Sequence, residues 1–350
     1  MLTLLQDPLS RLKIQNRQHA QFRETHGYVR TSHMASRKLS EKMPRPLQSK
    51  NENTRAESAI VLQLKYLPPF DGETLFSIFR AHQLPELETV TSQHYERVFH
   101  HDGRIGYFRV SNDDPGKNAL TLKVVGAARS AVPAIEQRVR RMFDLDVDPA
   151  VIAEHMAGQP HLGDLWRRYP GLRVARTWDR FETIITTILG QLVSVSFGRT
   201  LIRELMESSG QKVKHPVTGQ EIRLFPTPEL LRSADLSTVR TSEMRRTAIR
   251  TIAALAADGG LPLVGQPDPK ELRRTFLSLP GVGAWSSEYI AMRAFDDNDA
   301  FPATDYGLKQ EIKRHPEMNV SKVRPWRAYA AAALWKHFAE TKGTTYESVV

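Results

Sequence analysis

Residues 279–295 read LPGVGAWSSEYIAMRAF, and the surroundings of the first two glycines decide which fold holds them. Glycines ahead of a helix can serve a nucleotide cofactor, a nucleic-acid backbone or only a tight turn between helices. A dinucleotide fingerprint follows a strand, whereas ELRRTFLSL over 271–279 is amphipathic at helical period. A nucleotide P-loop needs a Lys followed by Ser or Thr after its glycines, and neither is present. What remains is helix, Pro-Gly hairpin, helix, near 270–294. Gly281 and Gly283 let the chain turn and present backbone N–H groups at the start of the second helix, where an anion is favoured. A DNA phosphate fits that geometry; so does a hairpin that only joins two helices.

The bulk composition is compatible with a polyanionic partner. Lys and Arg total 49 against 39 Asp and Glu in 350 residues, a formal charge of +10, which favours association with nucleic acid without proving it. With 40% hydrophobic residues the chain can bury a sizeable core. The absence of cysteine excludes disulfides, thiolate zinc sites and cysteine-ligated iron–sulfur clusters. No window approaches a membrane span and the start lacks a basic, apolar, small-residue signal, so a cytoplasmic, membrane-free protein is expected.

The fold class reads as α+β. Residues 1–58 carry 11 Lys or Arg against 5 Asp or Glu with no sustained periodicity, and are expected to form a flexible basic extension, either adding DNA affinity or inert. Residues 59–147 read as a small domain with an antiparallel sheet. Strands are expected at 59–66, 94–100, 104–110 and 119–125, a helix beginning near Asp71, and a second helix over 131–144 covering one sheet face. Tyr95, Tyr107 and Phe108 in these strands are expected in the core rather than on a base-stacking surface.

From residue 148 to about 345 the pattern is helical, in two blocks. DRFETIITTILGQLVSVSFGRTLIREL, 179–205, predicts two helices meeting at GQL. Thr227 followed by Pro228, and Asp268 followed by Pro269, predict helix starts. A further helix spans 243–257 and the last runs from about Pro325 to Glu340. The polar stretch 210–225 yields no role.

Together, LPGVGAW, FPATDYGLKQ at 301–310, ILGQLVSV at 188–195 and RPWRAYAAAALW at 324–335 resemble the helix-hairpin-helix DNA glycosylase superfamily, and within it the bacterial 3-methyladenine DNA glycosylase II (AlkA-like) family. The resemblance extends to YLPPFDGETLFSIF at 66–79 and RMFDLDVDP at 141–149. It implies a sheet domain followed by an all-α glycosylase core.

By the same resemblance Asp305 is the catalytic carboxylate; read locally, it is a helix N-terminal residue after Thr304 whose carboxylate accepts backbone N–H bonds. Leu192, with Gln191 beside it, is the wedge entering the gap left by an extruded nucleotide, and Trp285, Tyr289 and Trp335 form the base pocket; Trp335, in an alanine-rich helix, equally suits the core. Gly281 and Gly283 face a DNA phosphate. Arg324 and Arg327 either contact phosphate or brace the helix at Asp305. The backbone carbonyls of Leu277, Leu279 and Val282 are placed to hold a monovalent cation, Na⁺ or K⁺, and no other cofactor is implied. The implied activity is hydrolysis of the N-glycosidic bond of alkylated purines, of 3-methyladenine and 7-methylguanine type, in double-stranded DNA by a monomer. AWSSEYIAMRA has no lysine where strand-cutting members form a Schiff base, so an abasic site in an intact strand is expected. Two other readings stay open: a non-catalytic lesion-binding protein, and a glycosylase for deaminated or oxidised bases. Two departures stand out. The segment 314–324 is shorter than the family's insert before PWR, and Arg240 replaces glycine in a second hairpin-like turn.

Overall fold

A computed structural model describes residues 59–346; the expected basic extension over 1–58 lies outside them. The first layer is a five-stranded antiparallel sheet in the order β1-β5-β4-β3-β2, formed by β1 (Ile60–Lys65), β2 (Glu88–Val90), β3 (His94–His101), β4 (Arg104–Ser111) and β5 (Ala119–Val125). Ile60 pairs with Val124 and Val90 with Tyr95, so β1 closes one edge and β2 the other. The three-residue β2 is the strand that sequence reading missed, because ETV is too short to show alternation.

Two helices pack on the sheet. α1 (Gly72–Ala81) starts at Asp71, whose carboxylate accepts Thr74 N–H at 3.0 Å, and buries Leu75, Phe76, Ile78 and Phe79. α2 (Val132–Met142) buries Val132, Ile135, Val139 and Met142, the three- and four-residue spacing of one helical face. Tyr95 and Phe108 lie in the core they share, packed ring on ring at 5.8 Å. Buried aromatics of this kind dominate the area removed from water.

The remaining helices are α3 (Pro149–Ala157), α4 (Leu162–Arg168), α5 (Arg180–Gly190), α6 (Val195–Ser209), α7 (Pro228–Leu231), α8 (Glu243–Ala257), α9 (Pro269–Leu277), α10 (Ala284–Ala294), α11 (Tyr306–Arg314) and α12 (Arg327–Lys342). Side-chain caps set most starts: Asp179 accepts Glu182 N–H at 3.0 Å, Ser194 accepts Phe197 N–H at 3.3 Å, and Asp268 accepts Lys270 and Glu271 N–H at 3.0 Å. Stretch 210–225 forms a small hairpin of β6 (Lys212–Lys214) and β7 (Glu221–Arg223), tied to the loop before β2 by Arg223 N–H donating to Glu86 at 2.8 Å.

The central helix α12 is buried nearly all round, and alanines at 328 and 330–333 let its neighbours approach closely. Polar bonds fix its register: Tyr329 donates to Asp144 at 2.8 Å, and Lys336 pairs with Asp71 at 2.8 Å. The RMFDLDVDP segment and the start of α1 are thereby fastened to the helix that carries Trp335. Arg240 fills its turn by pairing with Glu204 on α6. None of the helices among the described residues is long and apolar enough to cross a membrane.

Candidate active site

A cleft of about 790 Å³ opens between the sheet layer and the helices, a size suited to a small-molecule or nucleotide-base ligand. Asp305, Trp285, Tyr289, Gln191, Leu192, Gly281 and Gly283 all line it. The sequence separates these residues by more than a hundred positions; the α5–α6 turn, the α9–α10 hairpin and the start of α11 bring them together.

Asp305 caps α11. Its Oδ1 accepts Leu308 N–H at 3.1 Å and the indole N–H of Trp335 at 2.9 Å, and its Oδ2 accepts the indole N–H of Trp285 at 3.1 Å. Every one of these neighbours donates, so the carboxylate is an acceptor at each contact and its plane is held by two rigid indoles. Capping and orientation are therefore the same set of bonds: the helix start that the sequence predicts also aims the carboxylate into the cleft.

The aromatic members divide. Trp285 and Tyr289, one helical turn apart on α10, stack at 4.8 Å with ring planes 14° apart, and both line the cleft. The buried Arg293 donates to the Tyr289 hydroxyl at 2.9 Å and fixes that ring. Trp335 takes the core position of its two readings. Its side chain is 2% exposed and does not line the cleft; it is a buried donor behind Asp305. Its indole N–H reaches the carboxylate from α12 while the ring stays in the core.

Leu192 is fully exposed, at 100%, and sits at φ +58°, the left-handed region that a γ-branched residue seldom occupies. An apolar side chain held out in solvent on strained backbone gains nothing for folding, so the conformation is informative about an external partner. Gln191 holds the turn in place: its side-chain N–H₂ donates to Gly281 O at 2.9 Å and to Ser286 Oγ at 2.7 Å, and its own carbonyl accepts from Arg245. Ser286 and Arg245 are partners that sequence reading missed, since only the tertiary contact joins 191, 245 and 286.

At the hairpin Gly281 has φ +76°, so the turn itself requires glycine. Gly283 caps α10 with φ −93° and extended ψ, and a Cβ there would meet nothing within 4 Å. Internal packing thus places no demand for glycine at 283. Among the described residues the Leu277 and Val282 carbonyls accept no turn hydrogen bond, and that of Leu279 takes Val282 N–H at 3.3 Å; these oxygens are compatible with a monovalent cation. Arg327 is committed elsewhere, with its guanidinium doubly bonded to Asp299 at 2.7 and 2.9 Å. Arg324, more exposed, lies 3.3 Å from the same carboxylate. Both therefore brace the loop that leads to Asp305.

A polar wall that the sequence did not reveal faces the same cleft. Arg97 on β3 bonds Glu88 on β2 and grips both oxygens of Glu182 on α5 at 2.6 Å, while Tyr95 donates to Glu88 at 2.5 Å. One guanidinium serves two carboxylates. Burial pushes the Glu182 carboxyl up to about 7, further than the Arg97 charge pulls it down. Its folded pKa thus exceeds its unfolded value, so the native state holds the extra proton and this contribution falls as pH rises from about 4.5 to about 7. Glu182→Gln is expected to gain melting temperature relative to wild type as pH rises through that window. A difference that stays flat or shrinks in parallel thermal melts would contradict the assignment.

Residues 61–179 match the AlkA N-terminal domain model. The chain is 32% identical over 290 residues to the probable bifunctional transcriptional activator/DNA repair enzyme AlkA of Mycobacterium tuberculosis (strain CDC 1551 / Oshkosh), covering 81% of this chain and 58% of that protein. It is 28% identical over 285 residues to DNA-3-methyladenine glycosylase 2 of Escherichia coli (strain K12), covering 78% of this chain and 95% of the relative. In fold it is similar to the 3-methyladenine DNA-glycosylase from Archaeoglobus fulgidus, with a TM-score of 0.65 at 22% identity over 80% of this chain and 98% of the other. The chain spans little more than half the length of the M. tuberculosis relative. The chain thus carries an AlkA N-terminal domain at 61–179, is similar over most of its length to DNA-3-methyladenine glycosylases, and shares their fold.

Proposed function

We propose that the protein is a monofunctional DNA glycosylase that extrudes alkylated purines from duplex DNA and hydrolyses their N-glycosidic bond. The observation that carries this reading is the shared cleft: a carboxylate held by two indoles, a stacked Trp285–Tyr289 pair and an exposed Leu192 all line one space.

Chemistry on a base requires removing it from the stack. Leu192 occupies the vacated space without needing hydrogen bonds, and Gln191 keeps the turn at its station. Methylation at N3 of adenine or N7 of guanine makes the base cationic, so the faces of Trp285 and Tyr289 attract it while reading little of its edge. As the C1′–N bond breaks, positive charge develops on the sugar and the Asp305 carboxylate stabilises it; the attacking water delivers hydroxyl to C1′ as its proton passes to Asp305 or solvent. The cationic base leaves neutral and needs no proton donor. α10, AWSSEYIAMRA, bears no lysine to form a Schiff base, which supports release of an intact strand.

Gly281 and Gly283 amides meet a DNA phosphate at the helix start, and the Leu277, Leu279 and Val282 carbonyls would hold a monovalent cation that adds positive charge beside it. Gly283→Ala, harmless to internal packing, is expected to leave the melting temperature nearly unchanged and weaken duplex binding about tenfold, since the methyl group holds the phosphate off the amides. Unchanged affinity in a binding titration would refute that role. The activity itself is tested by incubating the protein with methylated duplex DNA. Free methylated purine, with strand breaks only after alkali, is the expected result. Breaks before alkali would overturn the monofunctional reading, and binding without base release would identify a lesion-binding protein.

A further inference from the structure

Away from the cleft, three parts of the fold converge on four side chains. His161 stands immediately before α4, Glu311 lies within α11, His315 ends that helix and His337 is on α12; one ligand-type atom from each lies within 4.8 Å of all the others. Glu311 is 0% exposed, an unusual place for a carboxylate without strong partners. Arg314 donates to its Oε1 at 2.6 Å and His337 Nδ1 to its Oε2 at 2.6 Å. His161 Nε2 is buried without a hydrogen-bond partner among the described residues, 3.8 Å from Glu311 Oε2. The His161 and His315 rings stack at 3.4 Å, only 11° from parallel. His161 also sits at φ +63°, a conformation seldom taken by a residue with a Cβ. Fold stability alone does not explain an orphaned imidazole on left-handed backbone against a buried carboxylate.

We propose that His161, Glu311, His315 and His337 form a structural site for one divalent transition-metal ion of the zinc class. Three imidazole nitrogens with one carboxylate oxygen make a four-coordinate set that such an ion accepts, and it needs no thiolate. His315 Nδ1 lies 3.3 Å from Glu317, leaving Nε2 as the ligand nitrogen with a carboxylate behind the ring. Arg314 keeps Glu311 Oε1, so Oε2 faces the ion. Bonds of about 2.0–2.2 Å require the four atoms to draw together. His315, at the end of α11, rotates out of its stack to allow this, and the His337 proton moves from Nδ1 to its other ring nitrogen. The ion then ties the far end of α11, whose first turn is capped by Asp305, to α12 two residues past Trp335, and both to the start of α4. Its effect is on stability, with no direct part in bond cleavage.

The test uses the full chain without an affinity tag, stripped of metal with a chelator and then dialysed against Zn²⁺ or Co²⁺. Wild type is expected to retain one Zn²⁺ per chain, to give the intense visible absorption of tetrahedral Co²⁺, and to melt several degrees higher with zinc than without it. His315→Gln/His337→Gln is expected to lose all three responses while matching wild-type circular dichroism in metal-free buffer. If that pair fails to fold, His315→Gln alone, at a helix end, should weaken zinc at least tenfold. Absence of stoichiometric zinc in wild type, or wild-type zinc affinity in a folded variant, would overturn the site.

Discussion

Asp305→Asn is expected to slow release of methylated purines by about 10²–10³-fold or more, the scale on which removal of one preorganised electrostatic partner acts, while leaving the fold intact. The substitution changes charge with little change of shape. Asparagine caps helices as well as aspartate does, so the Leu308 N–H bond that starts α11 survives. Of the two indole N–H donors, one loses its acceptor where the amide NH₂ now stands, at a cost on the order of 1 kcal/mol. The charge on the cleft side is gone, and the developing sugar cation faces a neutral amide. Single-turnover base release, read beside a thermal melt, separates the two effects. Wild-type release by a folded variant would remove Asp305 from the chemistry and leave it a helix cap only.

Leu192→Gly is expected to move stability and activity in opposite directions. The native side chain is wholly in solvent, so nothing packed is lost, and glycine accepts φ +58° without strain. Relief of left-handed strain, about 1–2 kcal/mol, offsets the greater unfolded-state freedom of glycine, about 0.5–1 kcal/mol, leaving stability equal or slightly raised. Base release from duplex DNA should fall about tenfold or more, because a few kcal/mol of unstacking is no longer offset by a filler in the helix. The loss should shrink when the damaged base is unpaired, since less stacking and pairing must then be broken. An equal loss on paired and unpaired substrates, measured in single turnovers, would deny Leu192 a wedge role and point to damage of the cleft itself.

Local physics made much of this protein legible from its residues. Asp71, Asp179, Thr227 and Asp268 announce helix starts because a cap depends on neighbours two or three positions away. Gly281 announces its turn because positive φ is a property of one residue. GQLVS, the LPGVG hairpin, ATDYG and PWRAY, in that order along the chain, carry the resemblance to the glycosylases. Other features escaped. β2 is too short to alternate, and the hairpin at 210–225 has only three strand residues on each side of its turn. The Arg97 wall joins positions 88, 97 and 182, and the His161 cluster joins 161, 311, 315 and 337, across intervals no periodicity spans.

Asp305 itself shows where the division falls. Its place at a helix N-terminus follows from the chain alone, because capping is a contact between near neighbours. That its two oxygens are gripped by Trp285 and Trp335, that the second indole stands behind the carboxylate and outside the cleft, and that Arg327 is spent on Asp299 are decisions of tertiary packing. They depend on how α10, α11 and α12 close around one another, and side-chain direction at that closure is set by the volume each neighbour leaves.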